Sequence, residues 1–389
     1  MSEVIVVGGG AAGMMAAIAA ADCGHQVTII EKNEKLGKKL FITGKGRCNI
    51  TNDSDVENHL NHVISNPKFM YSAFYSFDSS RMIDFLEQEG LAVKTERGNR
   101  VFPQSDKSSD VLQTLQKALR RRNVTVRLHT KMTGLMIEDH ICKGVKVQSY
   151  HGALETLTAD DVILTTGGLA YPSTGSTGDG HRLLKQAGVA LEPCYPALVP
   201  VETVEEWPIR LQGLSLRNVS LRVERGSHKI YEEQGEMLFT HFGVSGPLVL
   251  SASSLLGRKG AKDCKLHIDL KPALSEEQLD ERLQRDFAAQ KNSMFKNSLG
   301  KLLPSKLIPV IVELSEITPD KQVNEVTRQE RHRLVKLCKD LTCTVKKLRD
   351  FPEANVTGGG ISVKAINPAT MELKEISHLF AAGELIDVD

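Results

Sequence analysis

Residues 4–7 form an unbroken apolar run that stops at Gly8-Gly9-Gly10, and residues 11–21 follow as a stretch dominated by Ala and Met. Residues 27–30 are a second short β-branched run. A strand, a helix and a strand this close together predict a parallel sheet buried on both faces. Residues 36–52, rich in Gly, Lys and Asn, are too polar for a core and read as a loop. Residues 80–88 and 110–122 read as helices, the latter with Val111, Leu115 and Leu119 spaced along one face. Residues 124–128 read as a strand, 144–149 and 154–158 as a hairpin around Gly152, and 162–165 as another buried strand.

The pattern changes after residue 191. Val219, Leu221 and Val223 alternate with Ser220, Arg222 and Glu224, and Leu266, Ile268 and Leu270 repeat the alternation, which predicts antiparallel strands and a small barrel. Ser275 with Gln278 has the form of a capping box opening a helix whose Leu279, Leu283 and Phe287 share a face. Thr318-Pro319 reads as a second helix start. Strand-like pattern resumes at Thr344, and residues 378–383 return to the style of the N-terminal runs. The expected architecture is α/β: a discontinuous Rossmann-like domain (1–191 and 367–389), an inserted antiparallel β-barrel domain (192–274 and 343–366), and a helical insertion (275–342).

Composition narrows the function classes. With 389 residues, 41% hydrophobic and 25% charged, the chain can bury large cores and is neither disordered nor a small stapled scaffold. A formal net charge of +1 gives no reason to expect a polyanion or an anionic membrane as main partner. The basic run Arg120-Arg121-Arg122 reads as complementing a helix C-terminus. Seven scattered cysteines argue against a disulfide framework and for a reducing compartment, and there is no zinc-type CxxC pair. Cys338 and Cys343 have the spacing of some redox disulfides but lie far from any nucleotide motif. Residues 4–21 carry no charge, yet Glu3 stands where a signal would be basic and glycines interrupt the run, so a cytoplasmic protein without a membrane segment is expected.

The chemistry is concentrated in four segments. VVGGGAAG places Gly8, Gly10 and Gly13 in GxGxxG register between a strand and a helix. There they allow a tight turn, approach of a pyrophosphate to the backbone and close helix packing, and the helix N-terminus offers its N–H groups and dipole. Glu31, at the end of the second strand, is placed to accept both hydroxyls of an unphosphorylated ribose, favouring FAD or NAD over NADP. KLGKKLFITGKGRCNITN adds Gly44 and Gly46, the cations Lys38, Lys39, Lys45 and Arg47, and the polar Asn49, Thr51 and Asn52. Such a loop would wrap a second ligand half such as a flavin. Cys48 within it reads as packing rather than as a nucleophile. VILTTGGLAYPSTGSTGDG and HLFAAGELIDVD complete the set, and no second strand–GxGxxG–helix for a nicotinamide dinucleotide is present.

Together these segments resemble the FAD superfamily related to glutathione reductase and fumarate reductase. GKKLFITGKGRCNITN, LFTHFGVSGP, NVTGGGISVKAINPATMELK and LFAAGELIDVD resemble, more closely, the bacterial NAD(P)/FAD-dependent oxidoreductases described as the aminoacetone oxidase family, with bile-acid-reductase-like members. The resemblance runs the length of the chain. It implies that Gly8, Gly10, Ala11, Ala12 and Gly13 meet the pyrophosphate and that Glu31 and Lys32 lie at the adenosine ribose. It places Lys39, Gly46, Arg47, Cys48 and Asn49 along the FAD, and the Met132 backbone at adenine. Thr166, Gly167, Gly168, Asp179 and Gly360 would line the cofactor, with Gly383, Glu384 and Asp387 on its ribityl and phosphate side. The superfamily usually carries Asp where this chain has Glu384. It also continues past Asp387 with a Gly-rich turn and a helix toward the flavin, so a shortened flavin pocket is expected in a sequence ending at Asp389.

The expectation is an FAD-dependent oxidoreductase acting on a small organic substrate between the FAD and barrel domains, with NAD(P)H as an electron donor lacking its own Rossmann unit. Tyr171 and His241 are candidate proton donors, although a buried tyrosine or core histidine would account for them equally. Two alternatives stay open: a flavin-dependent enzyme modifying nucleic acid such as tRNA, and a non-catalytic FAD-binding or sensor protein.

Overall fold

In the computed structural model, which describes residues 1–389, the first apolar run is the strand Glu3–Val7. Its side chains alternate between two cores: Val4 and Val6 enter one, Ile5 and Val7 the other. A strand buried on both faces needs covering layers on both, and that explains its lack of polar alternation. It lies at the centre of a parallel sheet ordered Leu379–Ala381, Asp161–Leu164, Glu3–Val7, Gln26–Ile30, Thr125–Arg127.

One face is covered by the helices Ala11–Asp22 and Ser108–Arg121, through Met14, Ala17 and Ile18 and through Val111, Leu115 and Leu119. The other face is covered by the antiparallel sheet of Thr130–Glu138, Ile141–Ser149 and Leu154–Thr158 and by the helix Asp179–Gln186. The expected hairpin about Gly152 is present, and Thr130–Glu138 adds a strand that the sequence pattern had not marked. Arg120 and Arg121 occupy the last turn of their helix, where Arg121 and Arg122 pair with the buried Glu89 carboxylate.

The polar stretch 36–52 is not all loop. A short helix, Lys38–Ile42, follows Gly37, and Gly44 and Lys45 then take left-handed conformations in a tight turn. The uncharged run 4–21 is divided between a strand and a helix, and no helix of the chain is long and apolar enough to cross a membrane.

The chain divides into two units, residues 1–195 with 355–389, and residues 196–354. Residues 355–366 therefore fall in the first unit rather than with the barrel. The strand Val356–Ile361 pairs with Leu191–Ala197, and Ile361 bridges to Ile386. The second unit contains a closed six-stranded barrel: Val201–Thr203, Gly243–Ser245, His228–Thr240, Ser215–Arg225, Cys264–Asp269 and Leu341–Leu348. Leu221 and Val223 pair with Ile268 and Leu266 across the antiparallel register, and all four are fully buried. The Ser275–Gln278 capping box opens the helix Glu276–Ala288, whose Leu279, Leu283 and Phe287 belong to the same core as the barrel strands. The helical insertion thus shares the barrel's core. Thr318-Pro319 does not start a helix: Lys321 N–H donates to the Thr318 carbonyl in a turn, and the helix Arg328–Lys339 begins instead at a Thr327–Glu330 capping box. Cys338 and Cys343 are buried free thiols of this core, and burial pushes Cys338 up to about 12, an environment for packing rather than redox exchange.

Candidate functional site

A cavity of about 440 Å³ opens at the carboxyl edge of the parallel sheet, entirely within the first unit. This is where ligands bind in open α/β sheets, because loops leaving successive strands diverge there. Val7 to Ala12 form one wall and the Ile30–Asn33 turn a second; Thr165–Gly167, Thr130–Met132, Asn355 and Gly383-Glu384 are among the residues that line the rest.

The fingerprint glycines have three distinct environments. Gly8 has a φ of 107°, and a Cβ there would stand 2.5 Å from the Thr165 carbonyl oxygen. A Cβ at Gly13 would stand 1.8 Å from the Gly8 carbonyl oxygen, so this glycine sets the approach of helix to strand and does not line the cavity. Gly10 lines the cavity, and a Cβ there would meet no protein atom within 4 Å. The space opposite Gly10 belongs to the cavity. Gly10 is also the N-cap of the Ala11–Asp22 helix, with no side-chain cap and no acidic residue in the first turn. The helix end thus directs uncapped N–H groups and positive dipole at Ala11 and Ala12 into the cavity.

Each carboxylate on the cavity wall has its own donors. Glu31 is buried; one oxygen accepts from Gly9 N–H at 2.7 Å, and the other from the Asn33 N–H and Nδ2 at 2.8 Å each. Asp179 accepts from Lys32 Nζ at 2.8 Å. Burial pushes the Asp179 carboxyl up, but the Lys32 ammonium, with the Thr177 hydroxyl and the Lys131 charge, outweighs it and holds the group below its usual range. Glu384 accepts from Lys39 Nζ at 2.5 Å and from Thr357 N–H at 2.8 Å. Met132, Thr166 and Gly167 also reach the cavity, and the Thr166 hydroxyl is buried without a partner.

Several expected ligand residues lie elsewhere. Arg47 packs its guanidinium over the Phe102 ring at 4.1 Å and pairs with Glu96 and Asp106, which hold its pKa up, so it braces the loop instead of lining the cavity. Cys48 is buried at a φ of 60°, and desolvation pushes its thiol pKa up. Gly46 and Asn49 are exposed and away from the cavity. Gly168 packs on Thr357, where a Cβ would stand 2.3 Å from the hydroxyl. Gly360, at a φ of 129°, approaches the Leu385 carbonyl, and Asp387 is buried with Asn66 Nδ2 at 2.9 Å. Tyr171 donates its hydroxyl to Asn355 Oδ1 at 3.2 Å, and Asn355 lines the cavity. His241 is exposed in the second unit beside Phe242. Sequence reasoning missed Asn33 and Asn355. Asn33 carries a local signal, two residues after the acidic strand end; Asn355 carries none, because only the fold brings it to this edge.

A Rossmann-type sheet with an uncapped helix end, a cradle left open at Gly10 and carboxylates matched one by one to donors suits a dinucleotide diphosphate. These features define a dinucleotide-binding Rossmann site, and kinship makes the chain an FAD-dependent oxidoreductase. The chain belongs to the HI0933-like family, matching its Rossmann-domain description over residues 2–389. It is 31% identical over 393 aligned positions to 3-dehydro-bile acid delta(4,6)-reductase of Clostridium scindens, covering 100% of this chain and 94% of that protein. It is 28% identical over 392 positions to ribosomal RNA dihydrouridine synthase of Escherichia coli, covering 99% of this chain and 92% of that protein. Among solved structures it is similar to a 3-ketosteroid delta1-dehydrogenase from Sterolibacterium denitrificans in complex with 1,4-androstadiene-3,17-dione. That match has a TM-score of 0.52 at 15% identity over 99% of this chain and 94% of that one, a likeness of fold alone. Kinship to enzymes along its whole length sets aside the non-catalytic sensor.

Proposed function

We propose that the protein reduces a carbon–carbon double bond conjugated to a carbonyl group. One observation carries this reading: two relatives matching essentially the whole chain are named for a bile-acid reductase and for a dihydrouridine synthase. A 3-oxo steroid diene and the uracil ring share little except an alkene polarised by a carbonyl. In both, saturation adds hydride to the carbon distal to the carbonyl and a proton to the carbon beside it. When bound, FAD supplies the two-electron reservoir for such a hydride transfer.

The chain's own residues bind and orient. The N–H groups at Ala11 and Ala12 would hold the diphosphate, Glu31 the adenosine ribose and the Met132 backbone the adenine, with Thr166, Gly167 and Gly383 along the ribityl side. A carboxylate offers about four lone-pair sites and three N–H donors already use those of Glu31, so it has room for one ribose hydroxyl rather than the two expected from the sequence. Of the two proton-donor candidates, Tyr171 is favoured because its hydroxyl is anchored to Asn355, a residue of the cavity wall. NAD(P)H would act as the electron donor without a Rossmann unit of its own, since the one parallel sheet of the chain provides a single dinucleotide site.

Between the two substrate classes, a small lipophilic enone is favoured over RNA by the net charge of +1. The dihydrouridine synthase relative keeps RNA as the second reading, and a salt-sensitive mobility shift of ribosomal RNA would support it. The test is anaerobic: flavin reduced by NADH or NADPH is mixed with a 3-oxo-4-ene steroid, with uridine-containing RNA, and with a saturated ketone. Reoxidation by a conjugated alkene and not by the ketone is expected. Reoxidation by none of them under conditions where oxygen reoxidises the flavin would overturn the proposal.

A further inference from the structure

Two walls of the cavity are tied to each other at the end where Glu31 and the Met132 backbone would take adenosine. One wall is the turn of Lys32 and Asn33 after the second sheet strand; the other is the segment of Thr174, Gly175, Ser176 and Asp179, and all six residues line the cavity. Lys32 Nζ donates to Thr177 Oγ1 at 2.6 Å and to Asp179 Oδ2 at 2.8 Å, and the Thr177 hydroxyl donates to the same carboxylate oxygen at 3.0 Å. Asn33 Nδ2 donates to the Thr174 carbonyl at 3.0 Å, and a Cβ at Gly175 would stand 2.5 Å from that nitrogen. The bonds between the walls join residues 141–147 positions apart, so they close a tertiary gap and not a local turn.

The tie lies on the solvent side of the cavity. Thr177 is exposed and does not line the cavity, and the Lys32 and Asp179 side chains are 26% and 16% exposed. Asp179 Oδ1 also faces Lys131 Nζ at 3.7 Å and Arg182 Nη2 at 3.6 Å, so one carboxylate gathers three cations at this rim. Ion pairs that are partly exposed hold a segment in place without locking it, and salt weakens them. The segment can also swing: Gly175 and Gly178, at φ 109° and 73°, flank Ser176 and Thr177, and glycines there absorb the backbone rotation that opening requires.

We propose that Lys32, Thr177 and Asp179 form a latch over the adenosine half of FAD, which must open before the cofactor enters or leaves. The latch sets the rate of exchange in both directions, apart from any contact that Lys32 or Asp179 makes with the cofactor itself. This rests on FAD as cofactor and not on the identity of the substrate.

The test is stopped-flow association and displacement of FAD, and of ADP as the fragment that carries the adenosine half, on the parent, Thr177→Val and Asp179→Asn. Thr177→Val takes a hydroxyl out of the latch without touching the cavity wall, and should raise both the association and the dissociation rate constants by about threefold or more. Asp179→Asn removes the ionic part and should raise both by about tenfold or more. ADP should be accelerated as FAD is. Raising salt from about 0.05 M to about 0.5 M should speed FAD release from the parent, and Asp179→Asn should lose most of that dependence. Faster release with unchanged association in both variants would mean that these residues only hold the cofactor, and would overturn the latch. Rates equal to the parent's in both variants, ADP left unaccelerated, or the same salt dependence in the parent and Asp179→Asn would overturn it too. If Asp179→Asn does not fold, Thr177→Val and the parent's salt series decide, since neither alters the cavity wall. A parent protein that binds no FAD would instead overturn the cofactor assignment itself.

Discussion

Gly10 and Gly13 belong to one fingerprint, yet the structure gives them opposite roles, and alanine at each separates those roles. At Gly13 a Cβ would stand 1.8 Å from the Gly8 carbonyl and 2.7 Å from Thr165 Oγ1, so the helix must move away from the strand by at least about 1 Å. Overpacking of this kind costs about 1–3 kcal/mol or more, and backbone on both sides leaves little room to relax. At Gly10 no protein atom lies within 4 Å of the added methyl, and φ −78°, ψ −170° is open to alanine. Losing glycine at an N-cap costs up to about 1 kcal/mol, while stiffening the unfolded chain returns about 0.4–1 kcal/mol. Gly10→Ala should therefore leave the apoprotein within about 1 kcal/mol of the parent, a Tm change of a few degrees at most, with about 2–4 °C per kcal/mol expected for a unit the size of residues 1–195 with 355–389. Its methyl occupies the diphosphate's approach, and the loss of charge-assisted contacts should weaken FAD by about tenfold or more. Thermal melts without cofactor and fluorescence titration with FAD measure the two quantities separately. An apoprotein destabilised as much by Gly10→Ala as by Gly13→Ala, or unchanged FAD affinity in Gly10→Ala, would refute the assignment of that space to the cofactor.

Glu31→Ala should lower both apoprotein stability and FAD affinity, each by about 1–3 kcal/mol, because it strips the acceptor from Gly9 N–H and both Asn33 donors. A melt and a titration that separate, with only one affected, would count against the dual role. His181 is buried, with Nε2 3.0 Å from the Leu385 carbonyl, and burial lowers its pKa. The unfolded chain therefore takes up the proton first. Stability from this group is present above the ordinary value of about 6.5 and declines as pH falls below it, by at most about 1.4 kcal/mol per pH unit. His181→Gln should flatten the Tm difference between about pH 7.5 and about pH 5.5, and an unaltered difference would remove His181 from the account. Ser275→Ala should cost about 0.5–2 kcal/mol in the second unit by breaking the capping box at Gln278, and FAD affinity should not change.

Chemistry written locally was legible in the sequence. The strand–glycine–helix motif, Glu31 at the second strand end and the alternation at 219–223 all depend on neighbours close in the chain, and each forms as its pattern requires. What depended on distant partners was not legible. Arg47 looks like a ligand cation until the fold brings Glu96 and Asp106 to it from 49 and 59 positions away. Glu384 and Lys39 looked like independent cofactor contacts, and only the fold shows them spent on each other. Thr318-Pro319 failed for a different reason. A threonine before proline suits a turn as well as a helix start, and the Thr327–Glu330 box nearby satisfies two helix N–H groups where proline satisfies none.

The central claim is that the flavin of this protein returns its electrons to an alkene conjugated to a carbonyl. The direct measurement is an anaerobic single turnover: reduced holoprotein is mixed with one equivalent of a 3-oxo-4-ene steroid while flavin absorbance is followed, and the product is then analysed. Oxidised flavin should return in step with one equivalent of the saturated ketone. Flavin that stays reduced with this steroid and with uridine-containing RNA, yet reoxidises at once in air, would contradict it.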